Sequence, residues 1–267
     1  MPKAMKALDT AHRPLNVLLV QHVSWEGPGM ISAVLRKTRS RVHTVRLFRG
    51  EKIPRGLVED GAYDAVVGLG SPSVAYEPAT NPTHYDEIEL HTTVRRKGVP
   101  SFNICYSMQL FCAAHGGKVG KNPNGKEVGF QEVFLTPEGR KDRVFGPVGD
   151  HRMFQWHGDV VLRLPSGAVR LGDSEKTRNQ IVVVDGIHYL VQGDGQAATP
   201  SMIRSWFKQD GEWATTDSGV DEASVLARAI TNRGYCRRVY SRIFERFLEF
   251  AGGQASGQSS GQKVSAS

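Results

Sequence analysis

The chain has 267 residues, of which 39% are hydrophobic and 8% aromatic, as in an ordinary globular protein rather than a disordered or fibrous one. No uninterrupted apolar run approaches the ~18 residues that a membrane-spanning helix needs, and the first residues lack the apolar core of a signal peptide. Three cysteines, an odd number at irregular spacing, argue against a disulfide framework and for a reducing, cytoplasmic compartment.

The formal net charge of +7 raises the question of a nucleic-acid ligand. The basic residues are spread along the chain, and the last group recurs at helical spacing opposite apolar residues, as on a solvent-facing helix surface. The sequence contains no recognisable nucleic-acid-binding motif, which argues against a specific nucleic-acid partner. No His and Cys cluster has zinc spacing, so no metal site is expected.

Strands and helices alternate in the first half of the chain. Apolar, Val-rich runs predict strands over 15–23, 41–48, 63–70 and 99–105, with helical patterns at 30–35, 84–97 and 106–116. This alternation predicts an α/β fold: a flavodoxin-like, doubly wound and mostly parallel sheet with helices on both faces.

From residue 127 the pattern changes to shorter β segments separated by turn residues, which predicts a small antiparallel annex. Two closing helices are predicted, over 201–209 and over 221–250, the second broken near Arg233 and Gly234. Residues 1–14 are expected to form a flexible leader and 15–251 a single domain. Residues 252–267, rich in Gly, Ser and Gln, are expected to be a disordered tail.

Cys105 stands where the fourth predicted strand turns into a helix, in the run PSFNICYSMQLF. Ligands of open parallel sheets bind beyond the carboxyl ends of the strands, and a helix N-terminus stabilises a thiolate. Cys105 is therefore a candidate nucleophile, with the N–H of Tyr106 and one from the Gly70–Ser71 loop as candidate oxyanion donors. Gln109, one helical turn further, is expected to face the same cleft. The alternative is that Cys105 is a small buried hydrophobic residue.

The order of motifs resembles that of the class I glutamine amidotransferases. The strand–Cys–helix–Gly-Gly arrangement is preceded by HVSWEGPG and GLGSPSVAYEP and followed by EVGF, QWHGD, LPSGA and VQGDGQAATP. The resemblance covers roughly residues 15–210 and is strongest to stand-alone proteins similar to the amidotransferase domain of GMP synthase. It implies that the cysteine attacks the side-chain amide of glutamine, giving a glutamyl thioester and ammonia without a cofactor. It also implies a histidine that activates the thiol and a glutamate that orients the histidine.

The sequence departs from the family pattern in two segments. The family elbow is G-x-C-x-G-x-Q, but here Asn103 and Ser107 replace the glycines. The family base lies in Q-F-H-P-E, but here Asp194 stands at the histidine position and Gln196 at the glutamate position. An aspartate with the usual pKa of ~3.9 is ionised, so its charge would raise the pKa of a nearby thiol. It could protonate departing ammonia only if burial raised its own pKa by several units, which argues against standard glutaminase activity.

Other side chains could activate the thiol. His22 and Glu26 follow the first strand at the same sheet edge, and a glutamate in that location partners the elbow cysteine in the related DJ-1-like proteins. Both could equally organise the first loop. His157 matches a family histidine that is not the catalytic one, which favours a structural role. His188 lies six residues before the base position, ~20 Å along an extended strand, which is too far for a replacement.

Two hypotheses follow. The first is a divergent enzyme that hydrolyses or transfers a glutamine-like or γ-glutamyl amide of a small molecule through Cys105, with Asp194 and Gln196 recast as substrate-binding groups in a changed site. The second is a catalytically inactive amidotransferase fold kept as a binding or regulatory module, pairing with a synthetase-type protein. Retention of Cys105 and Gln109 favours the enzyme.

Overall fold

The computed structural model describes residues 13–261, with the side chains of all of these except Thr80 and 256–261. The strands in this part of the chain are β1 (Asn16–Gln21), β2 (Arg41–Arg46), β3 (Ala65–Gly68), β4 (Ser101–Ile104), β5 (Lys118–Lys121), β6 (Glu127–Leu135), β7 (His151–His157), β8 (Asp159–Arg163), β9 (Ala168–Asp173), β10 (Ile181–Val184) and β11 (His188–Val191). The α-helices are α1 (Ile31–Lys37), α2 (Arg55–Glu59), α3 (His84–Lys97), α4 (Tyr106–Ala114), α5 (Pro137–Lys141), α6 (Pro200–Thr215) and α7 (Glu222–Gly261).

The strands of the described residues form a nine-stranded sheet in the order β2-β1-β3-β4-β11-β10-β9-β6-β7, and β5 and β8 pair separately. The neighbours from β2 to β11 are parallel, and those from β11 to β7 are antiparallel. The five parallel strands, in the order β2-β1-β3-β4-β11, therefore have the flavodoxin-like arrangement. The predicted doubly wound, mostly parallel sheet with an antiparallel annex is confirmed. Most strands of the annex extend the large sheet, and β5 and β8 form the small separate one.

Successive residues of the central strands pack against helices on opposite faces, as the two-residue period of a strand requires. Val17 and Leu19 of β1 face the layer that contains α1 and α7, whereas Leu18 and Val20 face the layer of α2 and α3. All four side chains are at most 2% exposed. The near-continuous apolar run of β1 is explained by this burial on both faces.

Helix α7 differs from the expectation in two ways. It runs through Gly234 without a break, because the buried side chains that follow, including Cys236 and Phe247, hold it against the sheet. It also continues beyond residue 250: Ala251 is fully buried and Gly252 lies against Leu15. Residues 252–261 of the predicted disordered tail are thus helical, and 262–267 lie outside the described residues.

Of the predicted leader, residues 1–12 lie outside the described part of the chain. Arg13 is described, and its guanidinium donates to Asp64 Oδ2 at 3.0 Å. None of the helices described between residues 13 and 261 is both long and apolar enough to cross a membrane. The same part of the chain brings no three His, Cys, Asp or Glu side chains into a group that could hold a metal ion.

Candidate active site

Four loops meet at one edge of the parallel part of the sheet, where β1, β3, β4 and β11 end. They carry Glu26, Gly70, Cys105 and Asp194, which the sequence places among the candidates. The carboxyl ends of adjacent parallel strands lie side by side, so residues far apart in sequence converge there.

Cys105 occupies the turn between β4 and α4 with φ 50° and ψ −109°, a conformation that a non-glycine residue rarely adopts. Its N–H donates to Val191 O at 2.8 Å and its carbonyl accepts from Gln109 N at 3.0 Å, so both sides of the turn are held. The N–H of Tyr106 hydrogen-bonds to the sulfur. This strained, fully supported turn is the geometry of a nucleophile elbow.

The side chains that replace the two elbow glycines are accommodated by Gly68 at the end of β3. A Cβ on Gly68 would collide with the Ser107 hydroxyl and lie 3.3 Å from Asn103 Oδ1. Ser107 Oγ donates to Leu69 O at 2.8 Å, and Asn103 Nδ2 donates to Ser101 Oγ at 2.9 Å. The glycine at position 68, on the neighbouring strand, thus leaves the room that these two side chains occupy, and Asn103 does not obstruct the turn.

Asp194 lies on the turn after β11, is 1% exposed and is hydrogen-bonded to the Cys105 thiol. Its N–H donates to Phe154 O at 2.8 Å, and its Oδ1 accepts from Gln196 Nε2 at 3.2 Å. The Gln196 amide therefore holds the Asp194 carboxyl group in place beside the thiol.

Gly70 lies between the thiol and two carboxyl groups. A Cβ at Gly70 would overlap Oε2 of Glu26, and would lie 3.2 Å from Asp194 Oδ1 and 3.6 Å from Cβ of Cys105. Glu26 itself is 6% exposed, and its loop is held where Trp206 Nε1 donates to the carbonyl of the preceding residue at 2.9 Å. Glu26 and Asp194 thus form, with Cys105, a buried group of three acids around one glycine.

Each of these three acidic groups has a raised pKa in the folded protein. Burial raises the pKa of the Cys105 thiol well above its usual value, and the charges of Asp194 and Glu26 raise it further. Burial also raises the pKa of Asp194 to about 7, against hydrogen bonds from Gln196 and Cys105 that lower it. Burial and then the charge of Asp194 raise the pKa of Glu26 well above its usual value. The resting site is a neutral thiol beside a carboxyl group that titrates near neutral pH.

Gln192 is a residue of this site that the sequence analysis did not single out. Its Nε2 lies 3.7 Å from Cys105 Sγ, and its Oε1 accepts from Gln109 Nε2 at 3.4 Å. Gln109 also donates to Asp159 O at 3.0 Å, which ties α4 to β8. Gln109 therefore reaches the thiol through Gln192. The sequence could have indicated Gln192, because this residue begins the segment that contains Asp194.

The two candidate histidines have different surroundings. His22 lies behind the Gly70 loop, with Nδ1 3.0 Å from Gly70 O and Nε2 2.6 Å from Glu87 Oε2. His157 forms a buried pair with Glu127, at 3.3 Å, and contacts Gln155 Oε1 at 3.2 Å. The contacts of His157 are those of a structural residue.

Ser71 lies at the start of the loop after β3, where its hydroxyl donates to Ser73 Oγ at 3.1 Å.

Helix α7 packs against the turn that carries Asp194, a contact that the sequence did not indicate. The ring of Tyr240 fills the space where Gly195 lacks a side chain, and its hydroxyl accepts from Phe154 N at 3.0 Å and donates to Arg152 O at 2.8 Å. This contact ties α7 to β7 and to the turn that carries Asp194.

Comparison with known proteins places this geometry in a family. The sequence model described as glutamine amidotransferase class-I matches residues 27–188, more than half of the chain. A γ-glutamyl-L-1-hydroxyisopropylamide hydrolase of Pseudomonas sp. is 30% identical over 164 residues, which are 58% of this chain and 53% of that protein. A glutamine-hydrolysing GMP synthase of Heliobacterium modesticaldum is 34% identical over 113 residues, 41% of this chain and 20% of that one.

The chain thus spans about half of the first relative's length and a fifth of the second's. Among solved structures, a glutamine amidotransferase from Thermotoga maritima superposes with a TM-score of 0.78 at 27% identity. That alignment covers 89% of this chain and 100% of the other.

Proposed function

The chain belongs to the class I glutamine amidotransferase family, and on that basis we propose that it cleaves a glutamine-like or γ-glutamyl amide through Cys105, with Asp194 as the acid–base group. The observation that carries this proposal is the hydrogen bond between the Cys105 thiol and a buried carboxyl group whose pKa burial raises to about 7. A group of that pKa is populated in both protonation states at neutral pH, which suits proton transfer in both directions.

The first half-reaction forms a thioester. The sulfur of Cys105 attacks the amide carbon while the Asp194 carboxylate takes the thiol proton, so a free thiolate is never required. The negative charge that develops on the carbonyl oxygen is stabilised by the backbone N–H of Tyr106 and by one from the Gly70–Ser71 loop. Asp194 then returns the proton to the leaving nitrogen, and the C–N bond breaks to release ammonia or an amine.

The second half-reaction cleaves the thioester and regenerates the free Cys105 thiol. Water, or another amine in a transfer reaction, attacks the thioester carbon while Asp194 again takes a proton. The C–S bond breaks and the proton returns to the sulfur. Burial and the neighbouring Asp194 raise the pKa of Glu26 well above its usual value, which favours its neutral form and limits the negative charge of the site. Gln196 keeps Asp194 facing the thiol throughout.

The substrate class is proposed from the relatives. The Pseudomonas relative is named a γ-glutamyl amide hydrolase, and the Heliobacterium relative a glutamine-hydrolysing synthase. Both names describe a γ-glutamyl acyl group, with an amine or ammonia as the leaving group. We extend that acyl group to this chain, and propose a synthetase-type protein as the acceptor partner if ammonia is the product.

Labelling followed by turnover tests the proposal. A diazo-ketone analogue of glutamine is expected to add to Cys105 at neutral pH, while Cys112 and Cys236, both fully buried in the helices, stay unmodified as internal controls. A chromogenic γ-glutamyl anilide is expected to be hydrolysed by the wild type and not by Cys105→Ala. If no adduct forms and no hydrolysis occurs between pH 6 and pH 9, the proposed enzymatic activity is overturned. The alternative, a binding module with the same fold, then stands.

A further inference from the structure

Glu87 is a buried carboxylate to which the mechanism above assigns no task. It lies in the first turn of α3, is 1% exposed, and accepts from Asn81 Nδ2 at 2.8 Å, with the Thr83 hydroxyl also at 2.8 Å. Its other oxygen lies 2.6 Å from His22 Nε2. Burial alone would raise the pKa of Glu87, but the charge of His22 and these hydrogen bonds hold it below its ordinary value. Glu87 is therefore charged in the folded protein.

His22 contacts a polar partner through each of its two ring nitrogens. Its Nδ1 lies 3.0 Å from the carbonyl oxygen of Gly70, which can only accept, so Nδ1 carries a hydrogen. Its Nε2 lies against the Glu87 carboxyl group, at 2.6 Å. His22 and Glu87 therefore form a buried histidine–carboxyl pair, and such a pair is retained at a desolvation cost that only good hydrogen bonding offsets.

The first connection from Glu87 ends on the Gly70–Ser71 peptide. No cis peptide bond occurs between the residues that the structure describes, so the carbonyl of Gly70 and the N–H of Ser71 point in opposite directions. Because His22 holds the carbonyl on its own side, the N–H of Ser71 points away from His22. The orientation of one expected oxyanion donor is thus set by the His22–Glu87 pair.

The second connection ends on the residue that supplies the other expected donor. The Asn81 amide nitrogen that donates to Glu87 also donates to the Tyr106 hydroxyl at 2.6 Å. Tyr106 is fully buried and its backbone N–H contacts the Cys105 sulfur. Two loops that are far apart in sequence are therefore attached to the same carboxylate.

We propose that Glu87 is a positioning residue which, through His22 and Asn81, holds both backbone donors of the oxyanion hole in place. The inference rests on the proposed function, since an oxyanion forms only if Cys105 attacks a carbonyl group. Removing a single oxyanion donor costs about 10²–10³ in kcat in enzymes that use one. Loosening both donors through Glu87 is expected to lower kcat of γ-glutamyl anilide hydrolysis about 10–100-fold, with KM changed less than about threefold.

The direct test compares a tetrahedral ligand with a planar one. In the aldehyde analogue of glutamine, Cys105 sulfur bonds to the aldehyde carbon, the C=O double bond becomes single, and the thiol proton passes to Asp194 or to that oxygen. The oxygen then occupies the oxyanion hole, whereas free glutamate binds without forming this adduct. Glu87→Gln is expected to weaken aldehyde binding at least tenfold and to leave glutamate binding within twofold of the wild type.

Two further variants test the connections one at a time. His22→Gln disconnects the Gly70–Ser71 peptide, and Tyr106→Phe removes only the hydroxyl that accepts from Asn81. Each is expected to weaken aldehyde binding, by less than Glu87→Gln does. The matched control is Glu89→Gln, two residues further along α3 with its side chain 57% exposed, which is expected to bind both ligands as the wild type does.

Each outcome decides one point. If the wild type forms no aldehyde adduct, the proposed function fails and the positioning role fails with it. If the wild type binds the aldehyde and all three variants bind it equally well, the proposed function stands and the positioning role is overturned. Equal losses of aldehyde and glutamate binding show a purely structural role and also overturn it. If Glu87→Gln does not fold, His22→Gln and Tyr106→Phe decide the question by the same comparison of the two ligands.

Discussion

The side-chain amide of Gln196 donates to Oδ1 of Asp194 at 3.2 Å, on a turn that places this carboxyl group in hydrogen-bond contact with the Cys105 thiol. An amide cannot accept a proton as a glutamate can, but it can hold the neighbouring carboxyl group in one orientation. In the function proposed above, the site keeps the arrangement of nucleophile, acid–base group and orienting group, with two of the three side chains changed from the family pattern.

Activity is expected to depend on the ionisation of Asp194. The carboxylate is the form that accepts the thiol proton, and burial raises the pKa of Asp194 to about 7, so kcat/KM should rise with pH through about 7. Asp194→Asn should lower kcat at least 100-fold and remove this inflection. Asp217→Asn, at an exposed turn, serves as the control. A wild-type profile flat from pH 5 to pH 9 would contradict the assignment.

The Asp194 carboxyl group is also expected to lower the free energy of unfolding at high pH. The folded pKa of about 7 exceeds the unfolded value of ~3.9, so the folded state binds more protons between these values, and stability falls as pH rises from about 4 to about 7. A pKa difference of this size corresponds to at most about 4 kcal/mol. Asp194→Asn should therefore raise Tm by about 4–8 °C at pH 8 and leave it unchanged near pH 4. Calorimetric scans at both pH values check this, and an equal gain at both would refute it.

Gly70 is expected to tolerate no side chain. A Cβ there would overlap Glu26 Oε2 and press on Asp194 Oδ1, so Gly70→Ala should displace both carboxyl groups and lower kcat at least 100-fold. Gly56→Ala is the matched control, because its Cβ would meet no atom within 4 Å and it lies inside α2. The control should retain full activity and gain about 0.5–1 kcal/mol of stability. Equal activity of the two variants would show that the three acids do not act as a unit.

Restoring the family's side chains is expected to restore its chemistry. Asp194→His combined with Gln196→Glu should increase glutamine hydrolysis at pH 7.5 at least tenfold, since an imidazole would then receive the thiol proton and a carboxylate would orient it. Gln196→Glu alone should reduce activity, because it adds a carboxylate next to two others. Ammonia release measures both. If the double variant stays inactive although Cys105 is still labelled, the glutamine pocket has diverged and not only the base.

The fold and the position of the nucleophile were predictable because both depend on local patterns. Apolar runs separated by helical segments define the parallel sheet, and the end of the fourth run places Cys105 at its carboxyl edge. The continuous course of α7 was not predictable, since Gly234 is a weak helix former and only contacts with the sheet decide the outcome. The extension of α7 past residue 250 has the same cause.

The chemistry of the site depended on contacts that no local pattern encodes. An exposed aspartate would have been a poor base, and the raised pKa of Asp194 follows from its burial in the folded protein. The pair of His22 and Glu87 joins residues 65 positions apart. Asn103 and Ser107 stand where the family elbow has glycines, and Gly68, on the neighbouring strand, leaves room for their side chains.

The strands β4 and β11 run side by side, and the bond from Cys105 N to Val191 O at 2.8 Å fixes the elbow to the end of β11. The separation between nucleophile and base turn is therefore set by main-chain pairing and is independent of which side chain occupies position 194. The family match also ends at residue 188, before that turn begins. A substitution at position 194 can therefore change the side chain beside the thiol without rebuilding the framework that holds the two turns together.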